Sequence, residues 1–154
     1  MRRLTLILIA FYFFSTLTGF QIPVKKHQGI KGKVTWLEGN QMPKISEAPI
    51  EKEMNKGKPI VRTIQVFPLM NLADTKMENG LFKSLSSKPI TETTSNEKGE
   101  FQIKLAPGQY SVFTVEEEGL FANIFDQNGN IQPVTVKKKR WSKLDIIINY
   151  KAVF

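Results

Sequence analysis

An all-β sandwich of seven to eight short antiparallel strands in Greek-key order is the fold class this sequence predicts. Three observations carry it. Ten Gly and eight Pro punctuate 154 residues, so turns come often. Several segments alternate apolar and polar side chains with a period of two, as half-buried strands do. No stretch repeats its apolar residues at the spacing of an amphipathic helix, which favours a sandwich or barrel. The length suits one domain, and 41% apolar with 23% charged residues is a globular balance.

The elements follow in order. Residues 1–20, MRRLTLILIAFYFFSTLTGF, predict a signal peptide: Arg2 and Arg3 start it, Leu4 to Phe14 is apolar apart from Thr5, and Ser15 to Gly19 supplies a cleavage region. The apolar run falls short of the ~20 residues of a comfortable membrane span, and an uncleaved anchor is the alternative. Setting Arg2 and Arg3 aside lowers the net charge from +8 to +6. Residues 21–29 read as a flexible lead-in, and 30–154 as the sandwich domain.

Ile30 to Leu37 is the first strand, with Ile30, Val34 and Trp36 on one parity and Lys31, Lys33 and Thr35 on the other. Polar residues 42–58, holding Pro43 and Pro49, read as a loop. Ile60 to Phe67 is the second strand; Arg62 shares the parity of Ile60, Ile64 and Val66 and is expected at the sheet margin, its stem packed and its head wet. Residues 69–88 read as a long connection, a length that in compact domains goes with function. Ile90 to Thr94 is β-rich, and Asn96 to Gly99 is a turn. Phe101, Ile103 and Leu105 alternate with Gln102 and Lys104, and Pro107-Gly108 fits a type II turn. Tyr110 to Val115, apolar on both parities, predicts a central strand, and Leu120 to Phe125 is similar. Asn128-Gly129 is a hairpin signal. Val134 to Val136 and Leu144 to Tyr150 complete the set.

The stretch Asn96-Glu-Lys-Gly-Glu-Phe-Gln-Ile-Lys-Leu-Ala-Pro-Gly-Gln-Tyr-Ser-Val112 resembles the strand, turn, strand, Pro-Gly, Tyr pattern of the carboxypeptidase regulatory-like domain, a transthyretin-like (prealbumin-like) β-sandwich. Gly32-Lys-Val-Thr35, Gly39 to Pro43, Thr91 to Thr94 and Gly119-Leu-Phe121 add to the likeness, which spans roughly 29–150. Loops 42–58 and 69–88 depart from it. The resemblance implies a non-catalytic accessory module, of a kind found on bacterial outer-membrane transporters and surface proteins. Fold alone does not transfer function.

The chemistry is sparse. With no Cys and a single His, His27, the chain lacks thiol nucleophiles, Cys-ligated zinc and a serine triad, and no catalytic, metal or cofactor residue is assigned. Glu116, Glu117, Glu118, Asp126 and Asp145 leave a small carboxylate-dependent hydrolase as the competing class. Asp126, Asn128 and Asn130 have calcium-loop spacing, yet Ile131 stands where such a loop needs Gly and Lys137 where it needs Glu, so a plain turn is expected. Lys137, Lys138, Lys139 and Arg140 form a basic run that offers weak contact to an anionic membrane surface; nucleic acid is not expected as a partner of an exported chain. Candidate partner-contact residues are Met70, Met77, Leu81 and Phe82 in the long connection, and Phe121 and Phe125 on the following strand. For Leu81 and Phe82 the alternative is that they cover a sheet edge, and for Phe121 and Phe125 that they are core. The expectation is an exported binding or assembly module of the bacterial envelope, periplasmic or at the cell surface, with a protein or glycan partner. An uncleaved signal would make it a membrane-tethered stalk.

Overall fold

The computed structural model describes residues 27–42 and 57–153; the signal segment, most of the lead-in and the body of loop 42–58 lie outside the described residues. Within these bounds the chain forms two sheets around a shared interior, the all-β sandwich expected from its turn density and alternation.

The first sheet is built on β1 (Gly29–Asn40). Antiparallel β2 (Lys58–Pro59) and β7 (Glu100–Lys104) line one side of it. The other side carries β11 (Trp141–Lys143) and β12 (Ile146–Val153), both parallel to β1. A wholly antiparallel sheet was the expectation; this one is mixed. Gly29↔Trp141 and Val34↔Ile146 hold the same offset, so β11 and β12 are one strand interrupted at Leu144 and Asp145. Gly32 makes that interruption feasible, because a Cβ there would collide with the Leu144 carbonyl. Asp145 Oδ1 accepts the Lys33 N–H at 3.1 Å and takes the place of the missing ladder bond.

The second sheet runs β4 (Lys76–Glu78), β5 (Leu81–Ser84), β9 (Gly119–Phe121), β8 (Gly108–Glu116), β3 (Thr63–Pro68) and β6 (Thr91–Thr94), with β10 (Pro133–Val136) extending the β9 side of β8. β8 is the central strand that its two-sided apolar character predicts. Its even-numbered Val112 faces the interior with Ile64, Val66, Leu81, Phe121, Val134 and Val136, and this layer packs on Ile30, Val34, Phe101, Ile103, Ile146 and Ile148 of the first sheet. Phe113 faces the opposite way, into a second apolar cluster with Phe67, Phe82, Met70, Ala122 and Ile131. Phe113 meets Phe67 and Phe82 edge to face, both at 5.4 Å between ring centres.

Two loops depart from what the sequence predicts. Residues 69–88 are not an open connection: Asn79 and Gly80, at φ 52° and 78°, form a two-residue turn that closes the β4–β5 hairpin onto the sheet. Met70, Leu81, Phe82 and Phe121 are accordingly buried core residues, since one or the other face of the second sheet takes up each side chain. Of the proposed contact set, Met77 (50% exposed) and Phe125 (41% exposed) remain at the surface. The second departure concerns Pro107-Gly108. Gly108 is not among the glycines with positive φ, so the turn is not type II; Gly108 instead lies against the ring of Tyr110, whose hydroxyl donates to the Ala106 carbonyl at 3.0 Å.

Candidate functional site

The outward parity of β1 lays Gly29, Lys31, Lys33 and Thr35 along the open face of the first sheet. Registration adds a row of neighbours to each. Gln102 and Lys143 flank Lys31, Glu100 flanks Lys33, and Lys104 and Trp141 flank Gly29. With no side chain at Gly29, the Trp141 ring settles over that backbone, where a Cβ would clash with it. A groove of about 1100 Å³ follows this face, walled at one side by Thr93 of β6 and by Asn96 just beyond that strand. Asp145 sits within it, ion-paired to Lys143 at 2.7 Å.

The basic run lies at one end of the same face. Lys137 to Arg140 are exposed, and Lys139 turns the chain at φ 57°. The turn is tethered by Gln28: its side-chain oxygen accepts the Lys139 N–H at 3.1 Å, and its amide donates to Leu105 O at 3.0 Å. Gly29 N–H also donates to the Arg140 carbonyl. Gln28 is therefore a buried anchor, where the lead-in reading made residues 21–29 flexible. Nothing in the local sequence marks it, because both its partners are distant in the chain.

A separate cluster occupies a depression of about 380 Å³ beside Trp36, Thr63 and Lys151. Glu116, at the end of β8, has a side chain only 1% exposed. Its Oε2 accepts from Arg62 Nε and from the Tyr150 hydroxyl, each at 3.3 Å, and its Oε1 has no hydrogen-bond partner among the described residues. Ser95 fixes Arg62 from behind, its Oγ accepting the Arg62 N–H at 2.8 Å while its own N–H donates to Arg62 O. The Arg62 guanidinium lies 5.6 Å from the Trp36 ring centre, and Trp36 meets Tyr150 edge-on. Burial, and then the charge of Glu116, push the Tyr150 phenol above its ordinary 10.0. Arg62 stands just before β3, at the margin expected of it and 31% exposed, but its head is ion-paired to Glu116 rather than left wholly to water. The sequence carried half a signal for this pair: Arg62 breaks the apolar parity of Ile60, Ile64 and Val66, whereas Glu116 is masked by the Glu117 and Glu118 that follow it.

The remaining carboxylates are tied into turns. Asp126 receives the Asn130 side-chain amide and the backbone N–H groups of Asn130 and Asn128, which hold its carboxyl below 3.8. These donors occupy the oxygens that a calcium loop would direct at an ion. Glu117 and Glu118 form the exposed turn between β8 and β9. Among the described residues no group of three His, Cys, Asp or Glu side chains is placed to hold a metal, and no helix is long and apolar enough to cross a membrane. No protein-family model, curated protein or solved structure matches this chain.

Proposed function

We propose that this chain is a non-catalytic, exported β-sandwich module of the bacterial envelope that binds a protein or glycan partner on the open face of its first sheet. The observation that carries the reading is the groove on that face, long, solvent-open and lined by side chains that a sandwich core has no use for: Lys31, Lys33, Gln102 and Lys143. Ligand sites are concave surfaces with a few convergent polar groups on a rigid scaffold, and β1, held on both sides, is such a scaffold. The resemblance of 96–112 to carboxypeptidase regulatory-like domains supports an accessory rather than catalytic role, and residues 1–20 support export. The separate engagement of Glu116, Asp126 and Asp145 in structural bonds weighs against the hydrolase alternative.

The test is capture from an envelope fraction by the mature protein and by a Gln102→Trp variant, which fills the groove from an exposed strand position. Loss of a defined protein or glycan species in the variant, with unchanged thermal unfolding, is the expected outcome. Equal capture by both proteins would place binding elsewhere.

A further inference from the structure

We infer that the occupant of the open face is an acidic polysaccharide chain, an inference that rests on the binding face proposed above and assigns its ligand class. Four lysines and one aromatic ring share one continuous surface: Lys104 and Trp141 flank Gly29, Lys143 flanks Lys31, and Lys33 follows on β1. Alternate residues on a strand stand about 6.6 Å apart and neighbouring strands about 4.8 Å apart, so these cations form a closely spaced array rather than a point charge. The exposed turn Lys137 to Arg140 prolongs the array, because Gln28 and Gly29 bind that turn to the same end of the sheet.

The chemistry of the array selects among polyanions. Glu100 and Asp145 lie inside the groove with the lysines. A flat anionic bilayer would not reach the floor of a concave face and would leave these two carboxylates without donors. A chain that carries both acid groups and hydroxyls satisfies both signs: its anions meet the lysines, and its hydroxyls donate to Asp145 and Glu100. Thr35, Thr93 and Asn96 add neutral hydrogen-bonding groups along the wall. Trp141, half-buried over Gly29, adds one aromatic surface at the end of this face. Single-stranded nucleic acid would call for a succession of stacking platforms, and this face presents one.

Binding is measured with polygalacturonate as the probe, against neutral dextran, phosphatidylglycerol vesicles and oligo-dT. The expected result is binding of polygalacturonate but not dextran, weakening as salt rises, and weakened at least roughly tenfold in Lys31→Glu/Lys33→Glu. A control pair of equal charge change on the other sheet and its flanking loop, Lys76→Glu/Lys88→Glu, is expected to bind like the wild type. Equal weakening in both pairs would reduce the effect to net charge and overturn the proposal. Tighter binding of vesicles or of oligo-dT than of polygalacturonate would overturn it as well. If polygalacturonate fails to bind while Gln102→Trp still abolishes capture of an envelope component, the ligand class is wrong and the binding face stands; if both fail, the face falls too.

Discussion

Glu116 is the residue with the most at stake in this fold. A carboxylate enclosed at the end of β8 has lost its water, and Arg62 and Tyr150 replace that water on one oxygen. Removing a partner of a buried charge costs more than the pair itself contributes, because the other charge is left unsatisfied. Arg62→Ala is therefore expected to lower the unfolding free energy by about 3 kcal/mol in a denaturant titration. Arg62→Met combined with Glu116→Leu should recover most of that loss, since no charge is then left buried alone. The same cluster makes an alkaline prediction. The folded Tyr150 pKa lies above the unfolded 10.0, so the protonated phenol favours the folded state. That stability is fully present below pH 10.0 and is lost as pH rises through the folded value. Absorbance titration should show a tyrosinate component that appears late, and Tyr150→Phe should remove it.

At the level of elements, the β4–β5 hairpin decides whether the second sheet has one hydrophobic face or two. Leu81 joins the main interior while Phe82, one residue on, joins the outer aromatic cluster, as alternation along a strand requires. The excursion between β9 and β10 completes that outer cluster with Ala122 and Ile131, and Asn71 links it to the segment before the hairpin through the Asn128 carbonyl at 2.8 Å. Replacing 69–88 with a short Gly-Ser linker should therefore abolish cooperative thermal unfolding, because it strips Met70, Leu81 and Phe82 from the interior together. Phe82→Ala alone should cost about 3–5 kcal/mol, read from denaturant midpoints. The Asn79-Gly80 dipeptide is a turn signal, yet it stood inside a stretch that the sequence reads as one long connection. The hairpin's strands were harder to read, since Lys76 to Glu78 is exposed throughout and only the first two residues of β5 are buried, too few to show an alternation.

For the whole molecule, the absence of Cys leaves the packed sheets to hold the domain together without disulfides, and two apolar clusters on either face of one sheet meet that need. Export itself is checked at the N-terminus: the intact mass of the secreted protein should correspond to a chain that begins between Thr18 and Gln21. A mass that includes Met1 would instead indicate a tethered stalk.

Period-two alternation determined most of this architecture without tertiary information. Ile64 with Val66, Phe101 with Ile103, and Ile146 with Ile148 are apolar on the parity that the interior claims, because a strand exposes one face in two. The open face was equally legible, in that Lys31, Lys33 and Thr35 were wet from the start. Tertiary structure alone decided what stands beside them. Lys104, Trp141 and Lys143 come from strands remote in sequence, and only the registers of β7 and β11 bring them to β1. It also decided the fate of Met70, Leu81, Phe82 and Phe121, since an apolar side chain looks the same in sequence whether it waits for a partner or is already covered. Pairing register and burial depend on contacts between residues far apart in the chain, and a local pattern carries no record of them.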